Sequence, residues 1–562
     1  MKNALTTAYA EKMDRNCPWG EYPRPTLARD SYICLNGLWD FAYSKNEPTE
    51  YSEKILVPFS PECALSGIER GHTDVELLYY RRVFEIPKNF IKKRVILHFG
   101  AVDQVCRVYI NGSLTGEHRG GYIPFSFDIT ELVSEGENTV KVVCEDTLSN
   151  IYPYGKQTKK RGGMWYTPVS GIWQTVWLES IPENCIEGLK ITPSLDSVKI
   201  EVKGAKGGKR LTLRDSGEVY DFTEDEITVT PEKINLWTPE TPYLYYFTLE
   251  TEEDKVDSYF ALREISTEKI DGVSRLTLNG KPYLFNGLLD QGYFPDGLFL
   301  PATVDGYIDD IKTAKSLGYN MLRKHIKIEP EIFYYLCDSM GIAVFQDMVN
   351  NSDYSFLRDT VLPTIALKRL PDKRLHKNEM SRKVYRDTMR ETIAHLYNFP
   401  SVVYYTLFNE GWGQFSADDI YDEAKALDGT RIYDATSGWF WQKRSDVDSY
   451  HIYFKKLKIK DNPNRPIVIS EFGGYSHRVT GHLFGEGNYG YKTFKSKEEF
   501  ENAVRKLYTD EVKPLLSRGV SALVYTQLSD IEDETNGFLT YDRRVLKVDA
   551  EKFKSILEGL EK

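Results

Sequence analysis

Two β-sandwiches followed by a (β/α)8 barrel, a multidomain β plus α/β architecture, is the fold this sequence predicts. Three observations carry the prediction. The 562 residues exceed what one hydrophobic core usually serves, so several domains are expected. From about residue 30 to 266 the apolar pattern has period two and is cut into short runs by turn residues. From about 267 onward strand-like and helix-like segments alternate, eight strands in just under 300 residues, which is the size and grammar of a closed parallel barrel; an open doubly wound sheet is the runner-up. The boundaries read as 1–183, 184–266 and 267–562.

In the first segment the strand-like runs include "YICLNGLWDFAYS", "YYRRVFEIP", "RVILHFG", "CRVYINGSLTGEH", "NTVKVVCED" and "IWQTVWLE". Asn111-Gly112 between two such runs predicts a hairpin, because both central residues of a type I′ turn need positive φ. The second segment, with "GLKITPSL", "VKIEVKG", "RLTLRD", "LYYFTLET" and "DSYFALREIS", is of immunoglobulin-domain size. In the third, "PYLFNGLL" leads to a helix that Thr303 can cap, with Val304, Ile308, Ile311, Ala314 and Leu317 on one stripe and Gly318 as its stop. "NMLRKHI" precedes a helix opened by Pro330 and closed by Gly341, and "AVFQDM" precedes the helix from Glu379 to Tyr397, with Met380, Val384, Ile393 and Leu396 inward. "VVYYTLF", "RIYDATS", "DVDSYHIY" and "PIVISEF" follow. A helix opened by the Ser496–Glu499 capping box, "SALVYTQLS" and a terminal helix near 549–560 complete the chain.

Composition excludes several function classes. A net charge of −11 with a pI near 5.6 gives no electrostatic reason to bind nucleic acid. The seven cysteines are odd in number and unpaired in spacing, and Cys34, Cys106 and Cys144 lie in apolar runs, which reads as buried free thiols rather than disulfides or a zinc site. The N-terminal "MKNALTTAYAEKMDRN" lacks an apolar leader core and no run approaches a membrane span, so the expected location is the cytoplasm, with no membrane partner. "GEGNYG" at 485–490 fits a glycine-rich nucleotide motif in letters, but it opens no helix after a strand and reads as a rim loop. The triplet at Asn111 is a glycosylation signal only by chance in that compartment.

A barrel builds its active site from the C-terminal ends of its strands. Reading those ends for ionisable side chains gives Asp290, Arg323, His325, Asp347, Glu410, Asp434, His451, Glu471 and Asp530. Glu410 ends the fourth strand and Glu471 the seventh, each after an apolar run and before glycines. Two carboxyl groups converging on one pocket suit glycosidic hydrolysis, one protonated as acid and one ionised as nucleophile. The Asn-Glu pair by itself carries nothing, since Asn46-Glu47 and Asn378-Glu379 repeat it at a turn and a helix start.

"YYTLFNEGWGQ" and "IVISEFGG" resemble the acid/base and nucleophile segments of glycoside hydrolase family 2, and "LNGLWDF", "VYINGSLTG", "GGMWYTPVSGIWQTVWLE", "LNGKPYLFNG", "GYNMLRKHI" and "YTQLSDIEDETNGFLTYDR" are similar to family segments in the same order. The resemblance implies a sugar-binding jelly roll, an immunoglobulin-like sandwich and the barrel. It implies retaining hydrolysis of a terminal β-linked sugar through a covalent glycosyl-enzyme, with no redox, nucleotide or metal cofactor, and a small or oligomeric glycoside as the bound partner. Homo-oligomers are frequent in the family. Carried over by position, Glu410 becomes the acid/base, Glu471 the nucleophile and Asn409 the hydrogen-bond partner of the sugar 2-hydroxyl. Tyr453 matches the tyrosine that hydrogen-bonds the nucleophile, His325 a histidine near the glycone, and Arg323 a charge supporting the carboxylates. Asp146 lies on the loop from which relatives reach into the barrel mouth, Trp439 or Trp441 is placed to stack on sugar, and Gln527 stands where many relatives have tryptophan. The asparagine and lysine two apart with which glucuronidases hold a uronate carboxylate are not evident after strand eight, although Lys156, Arg161 or Lys324 can offer a cation differently. A neutral glycone therefore leads, galactose first because it is common in the family. A β-hexuronidase of the same mechanism and a noncatalytic carbohydrate-binding protein are the alternatives.

Overall fold

The computed structural model describes residues 5–365, 371–487 and 489–560. Residues 1–4 of the leader reading and Asn488 of the "GEGNYG" loop fall outside them. The first sandwich packs a four-stranded sheet (Tyr32–Cys34, Val176–Ile181, Arg94–Phe99, Phe125–Asp128) on a six-stranded one (Glu53–Val57, Gly37–Ser44, Leu77–Ile86, Gly136–Glu145, Val105–Ile110, Ser113–Arg119). Alternation does the work here: in Gly37–Ser44, Trp39 and Phe41 point into the core against Tyr80 and Leu97, while Leu38 stays exposed. The hairpin after Val105–Ile110 turns on Asn111 and Gly112 at φ of 48° and 84°, as the Asn-Gly pair predicts.

The second sandwich sets Gly188–Pro193, Val198–Lys203 and Glu226–Val229 against Val219–Phe222, Lys209–Leu213, Tyr245–Glu250 and Lys255–Phe260. It docks on the barrel through the fully buried Trp237, whose indole donates to the Asp338 carbonyl, and through Tyr259, whose hydroxyl donates to the Asp338 carboxyl at 2.7 Å.

The eight barrel strands are Phe285–Asp290, Met321–Lys324, Ala343–Asp347, Val402–Thr406, Ile432–Asp434, Asp448–Ile452, Ile467–Gly473 and Val520–Thr526, all parallel, with the eighth pairing with the first. They read as unbroken apolar runs because both faces are covered. Only the fifth and sixth lack a ladder between them, and Ser449 Oγ donating to Asp434 Oδ1 at 3.0 Å spans that seam. The hairpin Ile265–Ile270/Val273–Leu278, a feature the pattern did not single out, plugs the barrel's lower end by seating Ile265, Leu276 and Leu278 among Phe285, Met321, Phe345 and Val524.

Several local expectations need correction. The first barrel helix, Asp305–Ser316, has Val304 at its N-cap position and no side-chain cap; the Thr303 hydroxyl has no partner there. Ile311, Ala314 and Leu317 are buried, but Tyr307 is buried where Ile308 is only half-buried. In the helix Glu379–Leu396, Met380 is 57% exposed, because the first turn extends past the barrel wall and the buried stripe is Tyr385, Met389, Ile393 and Leu396. Asn378 caps that helix from its side chain. Ser496 accepts from Glu499 N, but the Glu499 carboxylate turns to Lys495 N, so only half the box closes. All seven cysteines are free, with Cys17 and Cys34 only half-buried. Among the described residues no helix is long and apolar enough to cross a membrane.

Candidate active site

The fourth strand ends at Thr406, and the chain then keeps following the barrel wall: Ser437 N donates to Phe408 O and Glu410 N to Ser437 O, at 2.8 and 2.9 Å. That tether holds Glu410 in the left-handed region at φ 52°, a conformation that costs a non-glycine residue about 1–3 kcal/mol and recurs at functional sites. Gly411 follows at φ 76°, where a β-carbon would stand 2.1 Å from the Phe440 ring. The glycine after the Asn-Glu pair is therefore a packing requirement of the turn that presents the carboxyl.

Glu471 enters from the seventh strand. Its Oε2 accepts from the Tyr453 hydroxyl at 2.6 Å, and its Oε1 accepts from Arg323 Nη1 at 3.1 Å. Arg323, fully buried, also donates to Asp347, to the Ser470 carbonyl and to Asn409 Oδ1. Because a guanidinium only donates, the Asn409 amide must turn its oxygen to Arg323 and its NH2 to the cavity. His325 lines the same cavity, its Nδ1 2.6 Å from Asp347 Oδ2; burial and the charge of Lys156 push its pKa down to about 4, so the ring is neutral near pH 7.

His451, noted in the sequence only as a strand-end residue, lies between the two glutamates. Its Nδ1 is 2.8 Å from Glu410 Oε1 and 3.5 Å from Glu471 Oε2, and its Nε2 is 3.1 Å from Ser437 Oγ, which in turn donates to Ser470 Oγ. One oxygen of each glutamate and this nitrogen all lie within 4.8 Å of one another. The two carboxyls titrate in opposite directions. Burial raises Glu410, helped by the Glu471 charge and opposed by His451. Burial would also raise Glu471, but the charges of His451 and Arg323, with the Tyr453 hydrogen bond, outweigh it and hold Glu471 below the usual carboxylate range.

The cavity above them is lined by Asn409, Glu410, Trp412, Tyr453, Glu471, Tyr489, Tyr491, Thr526 and Glu534 from the barrel, and by Lys156 and Met164 from the first sandwich. Glu534 was not singled out in the sequence. It is buried, its oxygens accept from Tyr166, Gln527 and Asn536, and burial raises its pKa against the charge of Lys156.

Four sequence-predicted residues lie elsewhere. Asp146 does not reach the cavity: coming directly after the strand Gly136–Glu145, it accepts from Leu148 N at 2.8 Å and Ser170 Oγ at 3.0 Å inside the first sandwich, 1% exposed. Trp439 braces the Glu410 backbone instead of lining the cavity, its indole donating to the Glu410 carbonyl at 3.0 Å, and Trp441 donates to the Ser449 carbonyl; among the described residues the tryptophan on the cavity is Trp412. Gln527 is fully buried behind the wall, where it positions Glu534 and accepts from Gln291 at 3.1 Å.

A chain with this barrel, this N-terminal sandwich and paired glutamates at strands four and seven belongs to a defined class. Residues 69–182 match the sugar-binding domain and residues 269–537 the TIM barrel domain of glycosyl hydrolases family 2, and the chain belongs to that family. It is 25% identical to a β-galactosidase of Lactococcus lactis over 81% of its length, and spans about half of that relative (48%). It is 23% identical to a β-glucuronidase of Streptococcus agalactiae, over 80% of this chain and 84% of that one. In fold it matches a β-D-glucuronidase from Dictyoglomus thermophilum with a TM-score of 0.75 at 19% identity, covering 96% of this chain and 98% of that one.

Proposed function

We propose that this protein is a retaining exo-β-glycosidase in which Glu471 attacks the anomeric carbon and Glu410 first donates a proton to the leaving oxygen and then takes one from water. The observation that carries the proposal is the spacing and opposite tuning of the two carboxyls. One oxygen of each carboxyl within 4.8 Å of the other agrees better with the separation of about 5–5.5 Å used for double displacement than with the about 6.5–9.5 Å of inverting enzymes. An attacking group must be ionised while the acid beside it keeps its proton, and the environments above bias Glu471 and Glu410 in those directions.

The rest of the cavity fits that division of labour. Arg323 and Tyr453 fix the nucleophile's two oxygens, so little reorientation is needed at attack. The Asn409 amide is free to donate to a 2-hydroxyl, a contact that strengthens as positive charge develops at the anomeric centre. His451, with Nδ1 2.8 Å from Glu410 Oε1 and Nε2 3.1 Å from Ser437 Oγ, fixes the Glu410 carboxyl beside Glu471. A β-galactoside remains the first substrate to try because relatives are so named; none of the side chains on the cavity selects galactose.

Proton NMR of an early reaction time decides the stereochemistry: release of the β-anomer first supports the proposal, and the α-anomer first would refute it. Glu471→Gln should abolish turnover with the fold intact by circular dichroism.

A further inference from the structure

Of the three cations that the sequence offers to an anionic sugar, two are already committed. Lys324 is fully buried and donates to Asp290 at 2.6 Å and Glu329 at 2.8 Å. Arg161 lies outside the cavity, 3.8 Å from Glu532 and 3.6 Å from Asp533. Lys156 is different. It is 8% exposed, lines the cavity that holds Glu410 and Glu471, and among the described residues its ammonium makes neither a hydrogen bond nor an ion pair. Its nearest company is aromatic, 5.5 Å from the Tyr166 ring and 5.7 Å from Trp412.

An ammonium held in a cavity wall with no hydrogen-bond partner has its donors open to an arriving anion, and the cost of its partial burial falls when one binds. The chain goes to some length to hold it there. Gly155, at φ 62°, passes so close to the barrel that a β-carbon would sit 2.9 Å from the Ile326 carbonyl. Tyr154 N donates to Asn350 O at 3.1 Å and its hydroxyl to Ser352 O at 2.9 Å, while Asn351 Nδ2 donates to Ile151 O at 2.8 Å. The facing acids hydrogen-bond other groups and feel Lys156 only through space: Glu534 accepts three hydrogen bonds, Glu471 is held by Arg323 and Tyr453, and Glu410 by His451, while the Lys156 charge lowers Glu534 and Glu410.

We infer that Lys156 is a specificity-determining residue that reads a negative group on the glycone, a carboxylate such as a hexuronate carries, delivered to the barrel site from the neighbouring sandwich. The inference rests on the glycosidase reading for its chemistry but is tested by binding, which does not need turnover. Isothermal titration of the wild type with free glucuronate and galacturonate, against glucose and galactose, should give the acids the tighter binding by at least tenfold. In Lys156→Met, which keeps the side-chain length, the ratio of acid to neutral affinity should collapse toward one, and Lys156→Arg should restore part of it. Equal or tighter binding of the neutral sugars by the wild type, or an acid-to-neutral ratio unchanged in Lys156→Met, overturns the inference. A protein that binds uronate through Lys156 yet hydrolyses no glycoside would refute the enzyme reading alone. One that hydrolyses neutral glycosides and gives no preference to uronate would refute the lysine reading alone.

Discussion

Replacing His451 with alanine separates an electrostatic role on the two glutamates from a merely structural one. The imidazole is 2.8 Å from the acid's Oε1 and 3.5 Å from the nucleophile's Oε2, and its side chain is fully buried. Losing a hydrogen bond to a charged or proton-sharing group costs about 1.5–3 kcal/mol, which is a loss of about 10- to 150-fold in kcat/KM if the bond is fully made at the transition state. The pH profile carries the sign. His451 holds down Glu471 and opposes the rise of Glu410, so its removal raises both. The acid limb, where Glu471 becomes protonated as pH falls, then moves to higher pH; the alkaline limb, where Glu410 loses its proton, moves to higher pH as well. A full kcat/KM profile on an aryl glycoside reads both. A bell that keeps its position while losing height would mean that His451 only packs the site, and a bell displaced to lower pH would refute the electrostatic reasoning outright.

Glu410→Gln should lower kcat on alkyl glycosides by about 10²–10⁴-fold and on nitrophenyl glycosides by much less, because a good leaving group needs little protonation; equal losses on both would argue against the acid role. Tyr453→Phe deletes the 2.6 Å donor to Glu471, so kcat/KM should fall roughly tenfold or more and the acid limb should shift upward, measured on the same substrate. Away from the site, burial pushes the Asp338 carboxyl up to about 7 against the Ser401 and Tyr259 hydrogen bonds. Its stabilising contribution is therefore complete below the ordinary aspartate pKa and disappears as pH rises through 7. Asp338→Asn, which keeps an acceptor and a donor in place, should gain in melting temperature relative to wild type between pH 5 and pH 8, and a constant difference across that range would contradict the assignment.

The barrel and the strands that end at Glu410 and Glu471 are legible because a strand buried on both faces is a continuous apolar run, and a polar residue ending such a run stands out. "VVYYT" and "IVIS" are that kind of signal. His451 was visible as another strand-end residue but its partners were not, since they depend on a register irregularity between Tyr450 and His451 that sets His451 opposite Glu471. A single extra residue in a ladder leaves no trace in periodicity. Glu534 was hidden, and Lys156 was legible only as one of three candidate cations, for a different reason: both sit on long irregular segments whose course is fixed by contacts far away in the chain. The same holds for Asp146, whose loop was expected at the barrel mouth but whose side chain folds back onto Leu148 and Ser170. Met380 and Thr303 failed at helix ends, where a stripe of the right period says nothing about how far the helix extends beyond its support.

The first sandwich is thus part of the site rather than an attachment to it. Tyr122, Tyr166 and Trp173 belong to the same buried cluster as Leu288, Phe299 and Tyr525 of the barrel, so the two share one core. Tyr166 donates to Glu534 and Thr167 N to Glu532, which pins the barrel's last loop from the sandwich side. The barrel supplies the two carboxyls and the groups that tune them, all within a few residues of strand ends, where backbone hydrogen bonds make position rigid. What faces those carboxyls across the cavity, Lys156 and Met164, comes from a loop that the barrel's own ladders do not constrain. Bond-breaking geometry can then stay fixed while the opposite wall changes, and the residues that choose among sugars belong on that wall.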